Sequence, residues 1–479
     1  MIRLDAVFTL SNLTNVDVAT NGQQDRGEIV NLSDDGHDVA ATTLQRFHLF
    51  NPKASPLSSE GGQLFVINIA RLLVSMTQVI VAIGVPIYFA ADGISASKLG
   101  LIIGLTAVFS VTISTLIGTL ADRIGRKPFL IAYPILIGLA VVTFVITSYQ
   151  PLLIAATIVG GFGRGGGAGA GQVGAYQPAE SALLSDIATR NRNRAFMKVS
   201  QFNVVGALAG SLVALLFFGS LRGPKSKEDL IVPFLIAAVA AILAGLAALA
   251  LRDVNTTKKR REAHIRSHGS REGAAVQLPK RSVLPKNSMP LLMRLFLTNS
   301  LNGLAVGMFG PFLTYYFYVR FHEGPNAIAF VYLLTNLLSL GPISVATKWA
   351  GRSGIIRVTT ILRVIQALLL IPFALAPNFL LAASIFVVRT VVQRAALPLR
   401  TSYVQSQAHP DERAQVAALS NISAQVMQSG SPVLSGFLFD QVAYEAPFIV
   451  GGIVQLMSAV FYGYFFMNRP PEEEVPKGQ

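Results

Sequence analysis

The chain has 479 residues, of which 52% are hydrophobic and only 13% are charged, a composition outside the range of ordinary globular domains. It contains no cysteine, which excludes disulfide bonds, thiol catalysis and cysteine metal sites. The net charge is +14, but most of the basic residues lie between apolar stretches, so a membrane protein is indicated rather than a nucleic-acid-binding one.

Residues 1–60 precede the first apolar stretch and carry eight acidic and four basic residues among Asn, Ser, Thr and Gly. They lack the basic start and apolar core of a signal peptide. A polar composition of this kind does not bury enough apolar surface to fold. Residues 1–60 are therefore predicted to be a disordered cytosolic extension.

Apolar stretches then recur to the end of the chain, each long enough to cross a hydrocarbon layer of ~30 Å as a helix. They predict twelve transmembrane helices, at 64–91, 96–119, 129–149, 151–185, 197–220, 230–251, 291–319, 326–349, 355–376, 378–405, 413–439 and 446–467.

The basic residues between these spans are unequally distributed, and basic residues are retained on the cytoplasmic side of a membrane. If the first 60 residues are cytosolic, the loops and tail on that side carry 23 Lys and Arg residues. The loops on the other side carry five, namely Lys98, Arg222, Lys225, Lys227 and Arg320. We therefore expect a multi-pass protein of the plasma membrane with both termini in the cytosol.

The loop between the second and third spans, residues 118–130, reads GTLADRIGRKPFL. It resembles the G-x-L-A-D-R-x-G-R-K-x-x-L signature of the major facilitator superfamily and agrees at every specified position. The resemblance implies an all-α membrane protein with twelve transmembrane helices in two pseudo-symmetric six-helix halves. The chain departs from two motifs of the family's proton-linked drug exporters, because Arg164 is followed by glycines and Gly210 by Ser211 rather than proline.

The chemistry of this loop predicts a conformational role. Gly125 allows a tight turn, and basic side chains after it contact anionic lipid headgroups. Asp122 contributes nothing to topology, but it is placed to cap the N-terminus of a neighbouring helix. The resemblance implies that this helix is the eleventh, starting near Arg413, and that Arg126 pairs with a carboxylate of the fourth helix, either Glu180 or Asp186. The predicted gating residues are Gly118, Asp122, Arg123, Gly125, Arg126, Lys127, Glu180 and Asp186, with a purely topological role left open for Arg123 and Lys127.

Residues 160–174 read GGFGRGGGAGAGQVG and contain the G-x-G-x-x-G spacing of a dinucleotide-binding turn. That motif needs a preceding strand, whereas these glycines follow the apolar residues of a membrane span. Small residues at i and i+4, such as Gly161 with Gly165 and Gly163 with Gly167, favour close helix packing instead. The run is therefore predicted to be part of the fourth helix, with Arg164 a candidate to line the pathway.

Residues 252–290 carry ten Lys and Arg residues and divide the spans six and six. This linker is predicted to be a flexible tether, with a patch for anionic lipid headgroups as the alternative. The predicted organisation is an extension at 1–60, a first half at 61–251, the linker at 252–290, a second half at 291–467 and a cytosolic tail at 468–479.

Five landmarks of the first half recur in the second half in the same order. Their offsets lie between 219 and 229 residues, as expected for two related halves with small insertions. The pairs are Arg71 with Arg294, Pro86 with Pro311, Arg123 with Arg352, Pro178 with Pro398 and Arg194 with Arg413.

Ionisable groups inside membrane spans are costly and usually face a cavity, so each is a candidate site. No Asp or Glu lies in the middle third of any span, and buried arginines suit an anionic solute. Some of these arginines could instead reach the interface along their own side chains. The predicted pathway residues are Arg71, Ser75, Gln78, Arg164, Asn299, Asn302, Arg389, Gln425 and Gln428.

The leading functional hypothesis is a secondary active transporter that moves a small solute by alternating access, the solute being an organic anion or an exported metabolite or drug. The alternative is a transporter-like sensor or scaffold that signals through its cytosolic segments. A soluble nucleotide-dependent enzyme would rest on the glycine spacing alone. We expect no catalytic residue, cofactor or metal, and a protein that functions as a monomer without nucleic acid.

Overall fold

The computed structural model describes residues 59–163, 174–188, 192–218, 227–251, 288–339, 341–407, 409 and 412–467. The predicted 1–60 extension apart from its last two residues, nearly all of the 252–290 linker, the 468–479 tail and Arg164 lie outside the described residues. The side chains of Asp122 and Arg123 also lie outside what the structure describes.

The described residues are helical almost throughout. The first half contains α1 (Glu60–Ala91), α2 (Ala96–Ile124), α3 (Lys127–Ile146), α4 (Gln150–Gly160), α5 (Gln177–Ile187), α6 (Arg192–Phe217) and α7 (Ile231–Ala247). The second contains α8 (Met289–Phe309), α9 (Leu313–Phe321), α10 (Pro325–Leu338), α11 (Pro342–Ser353), α12 (Ile355–Leu368), α13 (Leu370–Ala374), α14 (Phe379–Gln407), α15 (Arg413–Gln441) and α16 (Ala446–Phe466).

These elements fall in the twelve predicted spans. Nine helices among the described residues are long and apolar enough to cross a membrane. The fourth and eighth spans contain the shorter apolar helices α4 and α10, and the eleventh contains α15, whose 29 residues include many polar side chains. Large apolar side chains such as Leu101, Leu105 and Val108 are about half exposed on the outer surface, where a bilayer would cover them.

The fourth span is not one continuous helix, so the expectation for the glycine run was wrong. α4 ends at Gly160, and Gly161 and Gly163 have φ values of 73° and 77°. Residues without a Cβ adopt this left-handed conformation at little cost, and the Phe162 amide then donates to the Thr157 carbonyl at 3.0 Å. The glycines stop the helix here, and the helical backbone is described again from Gln177.

The two halves repeat one packing scheme. In the first half α1 packs on α6 and α7, and α3 packs on α7; in the second half α8 packs on α15 and α16, and α12 packs on α16. In each half, therefore, the first span packs on the fifth and sixth spans, and the third span packs on the sixth. Glycines bring the helices into backbone contact in both, since Gly206 of α6 lies against the Leu72 carbonyl and Gly303 of α8 against the Ala424 carbonyl.

Connections of a few residues place successive helix ends on alternating sides of the molecule. We name the side of the α2–α3 turn, at Gly125, the basic side. The side of the α1–α2 turn, at Gly93, is the opposite side.

Replacing Gly303 with Ala should lower the thermal unfolding midpoint of the purified protein. The added methyl group would collide with the Ala424 backbone, and overpacking of this kind costs about 1–3 kcal/mol. Gly430→Ala is the matched control, since Gly430 lies on α15 with open space around it. An equal midpoint for the two variants would show that Gly303 does not set this approach.

Candidate substrate pathway and gating contacts

A buried ion pair joins α1 to α5 in the first half. The Arg71 guanidinium pairs with the Glu180 carboxylate, and the two residues are 6% and 3% exposed. Two further nitrogens of Arg71, Nε and Nη1, are buried without a hydrogen-bond partner. The charge of this predicted pathway residue is therefore balanced inside the protein, and Glu180 is the partner of Arg71 rather than of Arg126.

The α2–α3 turn is attached to its own half. Arg126 forms an ion pair with Asp186 and donates a hydrogen bond to the Ala182 carbonyl at 2.7 Å. Lys127 donates to the Leu249 carbonyl at 2.7 Å, at the end of the sixth span. Gly125 has a φ of 110°, which favours glycine at this turn.

Behind that turn, Gly118 faces α5. A methyl group at Gly118 would lie 3.6 Å from Cβ of Pro178, which is an ordinary packing distance. The end of α2 therefore packs on α5 as well as being joined to it through Arg126.

The predicted pathway residues of α1, Arg71, Ser75 and Gln78, do not face one common space. Ser75 is buried and donates to the Asn203 carbonyl of α6 at 2.6 Å, so it joins helices within the first half. Gln78 is half-buried and remains a pathway candidate by its exposure.

Two predicted pathway residues of the second half have structural partners. Asn299 is fully buried, donates to the Ser420 carbonyl at 3.1 Å and accepts from Arg400 at 2.6 Å. Arg389 is fully buried between α8, α14 and α16. It donates to Gln455 at 2.8 Å and to Gln393 at 3.3 Å, and its guanidinium lies 3.9 Å from the centre of the Phe309 ring. Both side chains are enclosed by their own half in this conformation.

The more accessible polar groups lie on α8 and α15. Asn302 and Gln428 are half-buried, and Gln425 is exposed. Together with Gln78 they remain the predicted residues that a solute could reach, whereas Arg71, Ser75, Asn299 and Arg389 are enclosed.

The contacts that join the halves were not predicted from the sequence. The signal for one of them was present, because Asp440 is an acid at the end of a predicted span. Asp440, at the end of α15, accepts hydrogen bonds from the backbone amides of Ala96 at 3.2 Å and Ser97 at 2.8 Å, the first residues of α2. A carboxylate at a helix N-terminus meets free amides and the positive end of the helix dipole.

Glycines extend the same joint. Gly100 and Gly436 let the α2 and α15 backbones touch at Pro432 and Ala96. The Ser97 hydroxyl donates to the Gly436 carbonyl at 3.3 Å, and further hydrogen bonds between the halves run from Thr314 to the Ala82 carbonyl and from Asn336 to Ser211, both at 3.3 Å. All lie between the membrane centre and the opposite side.

No set of three His, Cys, Asp or Glu side chains that could hold a metal ion occurs among the described residues. The candidate site therefore consists of hydrogen-bonding and charged side chains on two halves that contact each other toward the opposite side.

Known proteins were compared with this chain. A family model described as Major Facilitator Superfamily matches residues 67–432. Multidrug resistance protein MdtG of Serratia proteamaculans (strain 568) is 25% identical over 408 residues, which cover 80% of this chain and 89% of that protein. Quinolone resistance protein NorA of Staphylococcus aureus is 24% identical over 189 residues, which cover 40% of this chain and 45% of that protein.

Solved structures resemble the fold over most of the chain. The nucleoside transporter NupG has a TM-score of 0.62 at 13% identity, covering 87% of this chain and 99% of that one. The inward open xylose transporter XylE from E. coli has a TM-score of 0.62 at 14% identity, covering 87% and 98%. At these identities the likeness shows the fold alone.

Replacing Glu180 with Gln should destabilise the protein strongly. The substitution leaves the buried Arg71 charge without its partner, a loss that costs about 3–5 kcal/mol. The thermal unfolding midpoint in detergent measures it. The double variant Arg71→Gln/Glu180→Gln should be more stable than Glu180→Gln alone, and Arg126→Gln, whose pair is partly exposed, should cost less. A double variant no more stable than the single one would rule out charge compensation.

Proposed function

This chain belongs to the Major Facilitator Superfamily and is a secondary active transporter of a small solute rather than an enzyme, and we propose that it exports organic solutes from the cytosol by rocking its two halves. The observation that carries the proposal is the position of the contacts between the halves. They lie toward the opposite side, so in this proposal the joint there is the gate that is closed in this conformation.

The orientation comes from the distribution of charge. The basic-side loops and tail carry 23 of the Lys and Arg residues counted between the spans, against five on the opposite side. By the positive-inside rule the basic side is cytosolic and both termini lie in the cytosol of a plasma-membrane protein. In this conformation a solute would therefore reach the site from the cytosol, and export is proposed from the names of the relatives.

The class of solute is suggested by the relatives. The names of MdtG and NorA refer to multidrug and quinolone resistance. A quinolone carries a carboxylate, and polar side chains such as Gln78, Asn302, Gln425 and Gln428 offer it hydrogen bonds at the accessible surfaces of both halves. We propose that exported solutes of this chain include such amphipathic organic acids.

Residues 61–251 and 291–467 are the two moving halves of this proposal, and 252–290 is the tether between them. The basic loops bind anionic lipid headgroups on the cytosolic side, and a single chain suffices for transport. Arg126, Asp186 and Lys127 belong to the gating set because they hold the α2–α3 turn against α5 and the end of the sixth span.

Two aspartates are proposed to stabilise opposite states. Asp440 caps α2 on the opposite side. Asp122, by the family resemblance of its loop, caps the start of α15 on the basic side when the halves close there. A cap of this kind contributes about 1 kcal/mol, which changes a two-state equilibrium roughly fivefold.

The transport activity is tested with purified protein in liposomes. A quinolone should accumulate faster than in protein-free liposomes under an imposed ion gradient, without ATP, and an ionophore should abolish the difference. A sensor or scaffold would give no quinolone flux above that of protein-free liposomes.

A crosslinked double-cysteine variant tests whether the opposite side must open, and the two single-cysteine variants are the controls. The chain has no cysteine, so Ala82→Cys/Thr314→Cys carries the only two thiols. A short bifunctional thiol reagent should stop flux in the double variant, because it fixes the opposite side closed, and should leave both single variants active. Continued flux after crosslinking would exclude opening on that side.

Asp440→Ala should shift the protein toward the state that is open on the opposite side. Ser429→Cys is the probe, since Ser429 is buried beside Gly104 in the joint of α2 and α15. Labelling by an impermeant thiol reagent added from the opposite side should rise about fivefold with Asp440→Ala and fall with Asp122→Ala. Asp92→Ala is the control, because Asp92 bonds Gln150 within the first half. Unchanged labelling in the Asp440 variant would remove its gating role.

A further inference from the structure

The second half contains a cluster of positive charge at a position where the first half carries an acid. Glu180 stands two residues after Pro178, and Arg400 stands two residues after Pro398, the matching landmark of the repeat. The position that holds a buried carboxylate in the first half therefore holds an arginine in the second half. A buried charge needs compensation from a neighbouring group of opposite sign.

Arg400 lies close to Arg363 of α12. Both are linked by hydrogen bonds to adjacent residues of α8, because Arg400 donates to Asn299, and Ser458, the partner of Arg363, donates to the Thr298 carbonyl at 2.7 Å. Arg363 lies 4.7 Å from the centre of the Tyr462 ring and donates to the Ser458 hydroxyl at 2.8 Å. Arg400 donates to the amide oxygen of Asn299 at 2.6 Å. Every one of these partners is neutral.

Acids are missing from the surrounding helices. The sequences of α8, α12, α14 and α16 contain no Asp or Glu. Over the described residues, neither Arg363 nor Arg400 forms an ion pair. Two like charges are therefore held together in an apolar region with nothing in these helices to balance them.

The same cluster holds unused hydrogen-bond donors. Nη1 of Arg363 and the Tyr462 hydroxyl are buried without a partner, and the two residues are 3% and 0% exposed. The hydroxyls of Thr359 and Thr360, one turn before Arg363 on α12, are also without partners. An unpaired donor beside two positive charges is suited to an anionic acceptor.

We propose that a small anion, either chloride or the carboxylate of a solute, binds between the guanidiniums of Arg363 and Arg400 with the Tyr462 hydroxyl as a further donor. The anion supplies beside Arg363 and Arg400 the negative charge that Glu180 supplies beside Arg71. Arg400 is half-buried and stands seven residues before the end of α14, about 10 Å from the basic side. The site is therefore reached from the basic side and does not depend on which solute is transported.

The experiment compares anions at constant ionic strength. The purified protein is heated in gluconate, with chloride or acetate replacing it stepwise, and the unfolding midpoint is recorded. Chloride or acetate should raise the midpoint saturably by a few degrees in the wild type, since a ligand that binds only the folded state stabilises it. Arg363→Gln should lose this dependence. Arg389→Gln is the matched control, a buried arginine of the same half with neutral partners, and should keep it.

Charge reversal keeps the test decisive if Arg363→Gln does not fold. Arg400→Glu places a carboxylate near Arg363, so this variant should be stable in gluconate and indifferent to chloride. A wild type that responds to neither anion, or an Arg400→Glu variant that responds as the wild type does, would overturn the proposal.

A quinolone added in gluconate identifies the source of the anion. Stabilisation that requires Arg363 assigns the site to the solute carboxylate, and stabilisation by chloride alone assigns it to an inorganic ion. A protein without quinolone flux that still shows the chloride response would refute the proposed export and leave the anion site standing.

Discussion

Backbone contact through glycine is the interaction on which the rest of this structure depends. Gly206 and Gly303 set the packing inside each half, and Gly100 and Gly436 set the joint between the halves. In lipid, helices gain little from apolar burial against each other, so close approach and dispersion contacts hold them together. At the joint, these touching backbones lie beside one apolar cluster that contains buried side chains of both halves.

The halves share their packing and differ in their charge. In the first half Arg71 and Glu180 neutralise each other and join α1 to α5, and Arg126 and Asp186 join the α2–α3 turn to α5. In the second half Arg363, Arg389 and Arg400 have neutral partners. A duplicated fold can keep its helix contacts while losing an acid at one position, since packing depends on side-chain volume and compensation depends on sign.

The fold could be predicted because the hydropathy of the spans and the signature of the 13-residue loop are local properties of the sequence. Tertiary contacts do not alter them. The all-helical membrane fold of the family is confirmed by the family match and by nine helices of the described residues that are long and apolar enough to span a membrane. The sequence predicted the site less well, since a linear pattern gives depth in the membrane but not rotation about the helix axis. Ser75 and Arg389 stand at suitable depths, yet both face their own half. The glycine run failed for a different reason: glycine suits both a packed helix and a left-handed turn, and the contacts of Phe162 and Gly161 decide between them.

The antiparallel pairing of α2 and α15 explains how one joint can serve both sides of the membrane. Asp122 stands two residues before the end of α2, and Asp440 one residue before the end of α15. Each acid is therefore carried to the start of the other helix, but at opposite sides. The Asp440 cap is formed here, and rocking that closes the basic side would draw Ala96 and Ser97 away from it as Asp122 approaches α15. In the proposed cycle, exchanging one cap for another of similar strength would keep the two states close in free energy, so that a modest solute or ion gradient could drive the cycle.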